Sequence, residues 1–309
     1  MSSYLVTGGC GFIGSHLSEA LLAHGHAVRV LDDLSTGTLD NLPKSTSFIC
    51  GSVNDPATVS RALDGMDGCY HLAAIASVER CRADWAESHR VNQTGTIMLL
   101  EAIARRPIPV VYASSAAVYG NNPDLPLRED ASKRPTSAYG IDKFGSELHA
   151  RIAAEIYAVP TAGLRFFNVY GPRQDPASPY SGVISIFADR IRRGDGITIY
   201  GDGASTRDFV CVADVARALL ATMAHLHTTP AAASVFNVCT GQAVTILDLA
   251  HQIATLCDVT ASIRNAPPRI GDIMHSLGDA TAATAALGLP PPTPLADGLR
   301  VLLDWMAAR

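Results

Sequence analysis

The 309-residue sequence has no block of like charges, no closely paired cysteines and no long apolar run. Each absence removes a class of function. A net charge of -5 with acids and bases interspersed gives no electrostatic reason to expect nucleic acid or an anionic membrane as partner. No apolar stretch approaches the roughly 18 residues of a membrane span, and Met1-Ser2-Ser3 leads straight into a strand-like run without a basic flank and signal segment. A cytoplasmic protein is expected. The seven cysteines (Cys10, Cys50, Cys69, Cys81, Cys211, Cys239, Cys257) are odd in number, scattered and free of any CxxC pair, and read as reduced, mostly buried thiols. No His, Asp or Glu cluster has metal-ligand spacing, the His24 and His26 pair included, so no metal is expected. Small-molecule chemistry remains, in a chain long enough for a sizeable core built as one large domain or two sharing an interface.

What is present is an alternation. Short apolar, β-branched runs at Tyr4 to Thr7, Ala27 to Leu31, Ser47 to Cys50, Cys69 to Ala73, Val110 to Ala113, Thr161 to Phe167 and Val235 to Val238 each read as a strand buried on both faces. Helix-length segments lie between most of them, among them Ser15 to His24, Glu87 to Arg105 and Tyr139 to Tyr157, the last opened by the capping candidates Thr136 and Ser137. The expected fold class is α/β, a doubly wound parallel (Rossmann) sheet. Beyond about residue 170 glycine and proline rise and the elements shorten, with Pro290-Pro291-Pro292 before a final amphipathic helix at about Leu295 to Met306, which suggests a smaller α+β lobe. The division expected is 1–170, with 205–245 returning to it, against 171–204 and 246–309.

Three motifs carry chemistry. In "TGGCGFIGSH", Gly8, Gly11 and Gly14 follow the first strand and open the first helix. There glycines permit a tight turn and close approach of a pyrophosphate to the backbone, and the helix N-terminus offers free N–H groups. The next strand ends in Asp32-Asp33, at the distance where an acid meets the adenosine ribose and repels a 2′-phosphate, so NAD is expected rather than NADP. Asp33 also reads as a solvated turn residue. In "SAYGIDKFGSEL", Tyr139 and Lys143 stand four apart on one helical face, where an ammonium stabilises a phenolate and fits Tyr139 for general base work. Finally, "SSAAVYG" ends the fifth strand in Ser114-Ser115 and follows it with Ala116 and Ala117, side chains without acid or base.

TGGxGFIG, Asp32, "HLAA" (71–74), Asn92, the Ser115 motif, YxxxK, "LRFFNVYGPRQ" (164–174), "IYGDGxxxRDFVxVxD" (199–214) and "RIGD" (269–272) together resemble the extended short-chain dehydrogenase/reductase family that acts on nucleotide sugars. The resemblance covers nearly the whole chain. It implies that Gly8, Gly11, Phe12, Ile13, Gly14, Asp32, Asp33, Val53, Leu72, Ala73, Ala74, Asn92, Tyr139, Lys143 and Phe167 bind NAD. It implies that Ser115 hydrogen-bonds the sugar O4, Tyr139 takes its proton and Lys143 holds the nicotinamide ribose. Asn168, Arg207 and Arg269 match positions that hold the substrate diphosphate, as guanidinium forks suit; Arg269 paired with Asp272 at the surface is the other reading. Tyr200 to Gly203 matches the segment that meets the nucleotide base. One departure is Ser52, where the family often has an acid for the adenine.

The two alanines then select among the family's reactions. Members that dehydrate resemble this chain but carry Asp-Glu at the positions of Ala116 and Ala117, and decarboxylating members carry a glutamate at that of Ala117. Elimination of water needs a base and an acid, and methyl groups are neither. The implied reaction is a C4 epimerisation of a UDP-hexose: proton to Tyr139, hydride to bound NAD, rotation of the 4-keto sugar, hydride return. Ser276, four past Asp272, matches a position where tyrosine restricts the site to plain hexoses, so its small side chain implies UDP-N-acetylglucosamine/UDP-N-acetylgalactosamine as well as UDP-glucose/UDP-galactose; a plain strand-end serine is the alternative. A UDP-glucuronate 4-epimerase, an unusual dehydratase and an NAD-sensing regulatory protein are the competing readings. The family's dimer helices correspond to Glu87 to Arg105 and Tyr139 to Tyr157, implying a homodimer through a four-helix bundle. Their apolar residues Ile97, Leu100, Ile103, Leu148, Ile152 and Ile156 would equally serve packing on the chain's own sheet.

Overall fold

The computed structural model describes residues 1–176, 182–229, 232–268 and 273–308. In chain order its first half runs β1 (Ser3–Thr7), α1 (Phe12–Ala23), β2 (Ala27–Asp32), β3 (Ser47–Cys50), α2 (Pro56–Leu63), β4 (Gly68–His71), α3 (Val78–Ala83), α4 (Trp85–His89), α5 (Gly95–Ala104), β5 (Val110–Ser115), α6 (Ala138–Tyr157) and β6 (Thr161–Phe166). The second half continues with β7 (Asn168–Tyr170), α7 (Val183–Arg192), β8 (Ile197–Tyr200), β9 (Thr206–Cys211), α8 (Val212–Thr228), β10 (Ala233–Val238), β11 (Ala243–Thr245), α9 (Ile246–Leu256), β12 (Ile263–Ala266), α10 (Thr281–Leu287) and α11 (Leu295–Ala307).

Seven strands form one parallel sheet in the order β10-β6-β5-β4-β1-β2-β3. The order reverses between β1 and β4, and at such a switch point the loops leaving the two strands part and open a crevice beyond their carboxyl ends. Helices cover both faces. On one, α1 and α8 pack together over Val6, Leu17, Leu21, Val30, Val111, Leu164 and Leu219; on the other, α2, α5 and α6 cover Leu5, Leu31, Val59, Leu99, Val110 and Tyr112. Burial on both faces explains the continuous apolar runs of β1, β4, β5 and β6. β3 departs from that expectation. It is the outer edge of the sheet, paired on one side only, and its four residues are all partly or fully exposed.

Helix ends differ from the sequence reading where local chemistry decides. α1 begins at Phe12 because the glycine turn leads directly into it. The expected helix over 87–105 starts at Trp85 and is interrupted by a wide π-helical turn over 90–94. α6 is capped as expected by Ser137, whose Oγ accepts from Gly140 N at 3.1 Å.

Beyond β6 the chain builds a second, smaller body. β7, β9 and β11 form a three-stranded sheet, β8 pairs with β12, and α7, α9 and α11 enclose a core with Ile184, Phe187, Phe209, Leu249, Ile253 and Leu302. Within 205–245, α8 and β10 pack with the large sheet, whereas β9 and β11 pair with β7.

Candidate active site

A cavity of about 410 Å3 follows the carboxyl ends of β1, β2, β4 and β5, at the switch point. Gly8, Gly11, Phe12, Ile13 and Gly14 form one wall, Asp32, Asp33 and Val53 the far end, and Leu72, Ala73 and Ala74 the floor. Ser115, Tyr139 and Lys143 close the near end. The loop is tight enough to require its glycines. Gly8 has φ +69°, and a Cβ there would lie 2.7 Å from Ala73 N; on Gly14 it would lie 2.2 Å from Gly8 O. Asp32 is buried and held by the same turn, accepting from Cys10 N at 2.9 Å and from Leu34 N at 2.8 Å. A glycine cradle at a helix N-terminus with a carboxylate one strand away fits a dinucleotide whose ribose keeps its 2′-hydroxyl.

At the near end, Ser115 terminates β5 and Tyr139 and Lys143 come from the first turns of α6. Ser115 Oγ accepts from Ala117 N at 3.1 Å and lines the cavity together with the Tyr139 phenol. Lys143 lies with Nζ 5.8 Å from the Tyr139 ring centroid and donates to Ala113 O at 2.9 Å. Burial pushes the Tyr139 phenol up to about 12, while the Ser115 hydrogen bond pulls it down. Burial also pushes Lys143 down to about 8. Burial is the larger influence on both groups, raising the phenol and lowering the ammonium. Ala116 and Ala117 lie in a 3-10 turn directly after Ser115.

Other expected residues lie outside this cavity. Asn92, almost fully buried, sits behind the wall and grips Ile75, accepting from Ile75 N at 2.8 Å and donating to Ile75 O at 3.1 Å. Phe167 is packed with Val118, Tyr119, Leu127 and Cys239. Asn168 is exposed at the start of β7, beside β9. Tyr200 lines a second cavity of about 600 Å3 with Asp202, Ser205, Asn265 and Met274. Arg207 reaches toward it, donating to Thr206 O at 2.9 Å and Met274 O at 3.5 Å, and Ser276, nearly buried, is tied to the same strand through its N–H to Thr206 O at 3.1 Å. Arg269 and Asp272 lie outside the described residues. Sequence reasoning passed over Arg80, Glu87, Val91 and Gln174, which also line the first cavity; they sit on surface turns and helices whose approach to β5 only the tertiary fold decides. Among the described residues no group of His, Cys, Asp or Glu could hold a metal ion, and no helix is long and apolar enough to cross a membrane.

The family model for NAD dependent epimerases/dehydratases matches residues 4–239. The chain belongs to this family. As a member of the NAD dependent epimerase/dehydratase family it uses NAD, and the first cavity, with its glycine turn and buried Asp32, fits such a cofactor. The chain is 36% identical over 310 residues to the UDP-glucose 4-epimerase of Mycolicibacterium smegmatis, covering 97% of each. Among solved structures it is similar to the UDP-glucose 4-epimerase of Thermotoga maritima with UDP-glucose (TM-score 0.94, 34% identity, 99% of each chain). It is equally similar to the UDP-N-acetylglucosamine 4-epimerase of Methanobrevibacter ruminantium in complex with UDP-N-acetylmuramic acid (TM-score 0.94, 34% identity, 99% of this chain and 98% of that one).

Proposed function

We propose that this protein inverts C4 of UDP-hexoses, interconverting UDP-N-acetylglucosamine with UDP-N-acetylgalactosamine as well as UDP-glucose with UDP-galactose. The observation that carries the reading is a Ser115, Tyr139 and Lys143 trio flanked by the methyl groups of Ala116 and Ala117. Bound NAD supplies a reversible hydride acceptor and donor. Tyr139, as phenolate, takes the O4 proton and later gives it back, and Ser115 donates a hydrogen bond to the same oxygen. The Lys143 ammonium steadies the phenolate and meets the cofactor's ribose. No acid or base stands in the turn to expel a C6 hydroxyl, so oxidation at C4 leads back to a 4-hydroxyl sugar. Arg207 and Asn168, with Arg269, hold the diphosphate, and the Tyr200 to Gly203 segment meets the base. Anchored there, the sugar can present either face to the trio.

Ser276, whose N–H meets Thr206 O of β9, supports the N-acetylated substrates through its small size, since a bulky residue there would compete with a C2 substituent. A second reading rests on Arg80. Its side chain lines the first cavity and a guanidinium suits a carboxylate, which makes UDP-glucuronate the acidic sugar to test. For assembly we propose a homodimer through α5 and α6 that forms a four-helix bundle. Leu148, Ile152 and Ile156 support it, each at least 40% exposed along α6, whereas Leu100 and Ile103 are buried in the chain's own core.

The test incubates the purified protein, without added cofactor, with UDP-N-acetylglucosamine and with UDP-glucose, and follows C4 by proton NMR. Formation of both 4-epimers without free NADH is expected. No turnover even with added NAD, or a deoxy-keto product from either sugar, would overturn the reading.

A further inference from the structure

We propose that the turn at 171–174 is a strap over the cofactor and that His16, Glu19 and Arg173 are its anchors, positioning residues that set how slowly NAD enters and leaves. The proposal rests on the use of NAD and not on the identity of the sugar. The first cavity is lined by Phe12, Ile13 and Gly14 at the start of α1 and, from much later in the chain, by Val169 and Gln174. A dinucleotide whose phosphates meet the N-terminus of α1 therefore lies between that helix and the turn. It leaves when the two part.

Two ties join helix and turn. His16 Nε2 lies 2.9 Å from Pro172 O, and Arg173 Nη2 pairs with Glu19 Oε1. Phe12, His16 and Glu19 follow one another along one face of α1, and the Phe12 ring, which lines the cavity, meets the His16 ring edge-on with centroids 6.0 Å apart. A carbonyl oxygen only accepts, so Nε2 carries the proton. Burial holds His16 below its usual value, which makes the donor a neutral ring near pH 7.

The turn is held against its own preference. Arg173 has φ +69°, a left-handed conformation that a residue with a Cβ keeps only where its surroundings impose it. Gln174, next in the chain, is fixed as well: Ser185 Oγ of α7 donates to its Oε1, and its own Nε2 donates to Val169 O at 3.4 Å. Ties made only to dock the second body on the first could fall anywhere along α1. These fall on the helical turns directly behind the glycine loop and on the two residues directly before Gln174, which lines the cavity. All their partners are protein groups, so the ties resist opening whether NAD is arriving or departing.

The holoenzyme, loaded with radiolabelled NAD, is diluted into unlabelled NAD and the retained label is followed over time. Glu19→Gln breaks a partly exposed ion pair and is expected to speed release about threefold. His16→Phe keeps the bulk of the ring, leaves the Pro172 carbonyl unpaired and should speed release about tenfold, with His16→Leu as the second variant where Phe disturbs folding. Uptake of NADH by the full chain freed of cofactor, read by its fluorescence, should quicken by the same factors, so that affinity changes little. Glu19→Gln combined with Arg173→Gln should release NAD no faster than Glu19→Gln alone. Release unmoved in the Glu19 and His16 variants, with only a lower melting temperature, would reduce the ties to docking of one body on the other. Faster release with unchanged uptake would mean that these residues shape the cavity and do not strap it, and either result overturns the proposal. No sugar is present in these measurements, so failure to turn over UDP-sugars would count against the proposed function alone.

Discussion

Tyr139 carries the largest catalytic demand in the proposed site, and its burial opposes it. A phenol pushed up to about 12 by burial becomes a base only when positive charge gathers near it. Tyr139→Phe removes proton transfer and keeps the ring, so kcat should fall about a thousandfold, with KM and NAD content little changed in steady-state kinetics and released-cofactor assays. Ser276→Tyr should cost N-acetylated substrates on the order of a hundredfold in kcat/KM while sparing UDP-glucose. A variant that kept full activity on UDP-N-acetylglucosamine would remove the pocket argument. The trio itself was legible because a strand end and an i, i+4 helical pair leave signatures in spacing. The grip of Asn92 on Ile75 and the place of Arg80 on the cavity were not legible. Asn92 meets Ile75, seventeen residues away, across a π-helical turn that no periodicity announces, and a buried polar group's partner is chosen by packing.

Elements are held in register near the site by charge rather than by apolar contact alone. Arg165 of β6 makes a bidentate pair with Glu147 of α6 at 2.7 and 2.8 Å and donates to Tyr119 Oη at 2.7 Å; Ser114 Oγ donates to Glu147 at 2.5 Å. The pair is almost fully buried; it fixes β6 against the helix that carries Tyr139 and Lys143, and the Ser114 bond to Glu147 ties in the strand that ends in Ser115. Removing one partner strands the other charge, so Arg165→Ala should lose roughly 3 to 5 kcal/mol in urea unfolding. A smaller loss would mean that water reaches Glu147. Strand existence was readable from apolar runs, because parallel strands covered on both faces need them. That reasoning overstated β3, since an edge strand is short of neighbours and its run says nothing about which edge it occupies.

For the whole molecule, acid should be more damaging than the surface charge suggests. His71 is buried, bonded through Nδ1 to Thr7 Oγ1 at 2.8 Å and through Nε2 to Thr96 Oγ1 at 3.0 Å, and its pKa falls from 6.5 to about 3. The unfolded chain takes a proton that the folded one refuses, so stability is lost as pH drops from about 6.5 toward 3, by about 2 kcal/mol at pH 5. Urea midpoints at pH 7 and pH 5 check the sign, and His71→Gln should flatten the difference. At the same scale, light scattering should give twice the mass of the chain, and Ile152→Asp with Ile156→Asp should halve it; a monomer from the start would end the helix-bundle proposal.

The sheet also has a history that its finished form conceals. β6 borders β5 on one side, but its other neighbour, β10, is encoded some seventy residues later, after the chain has left to build β7, α7, β8 and β9. On a ribosome those residues take several seconds to emerge. Throughout that interval the nascent sheet shows an open apolar border at β6, the kind of surface that chaperones recognise and that pairs wrongly with other chains. A premature stop anywhere between 170 and 233 should therefore yield not a smaller cofactor-binding protein but an aggregate.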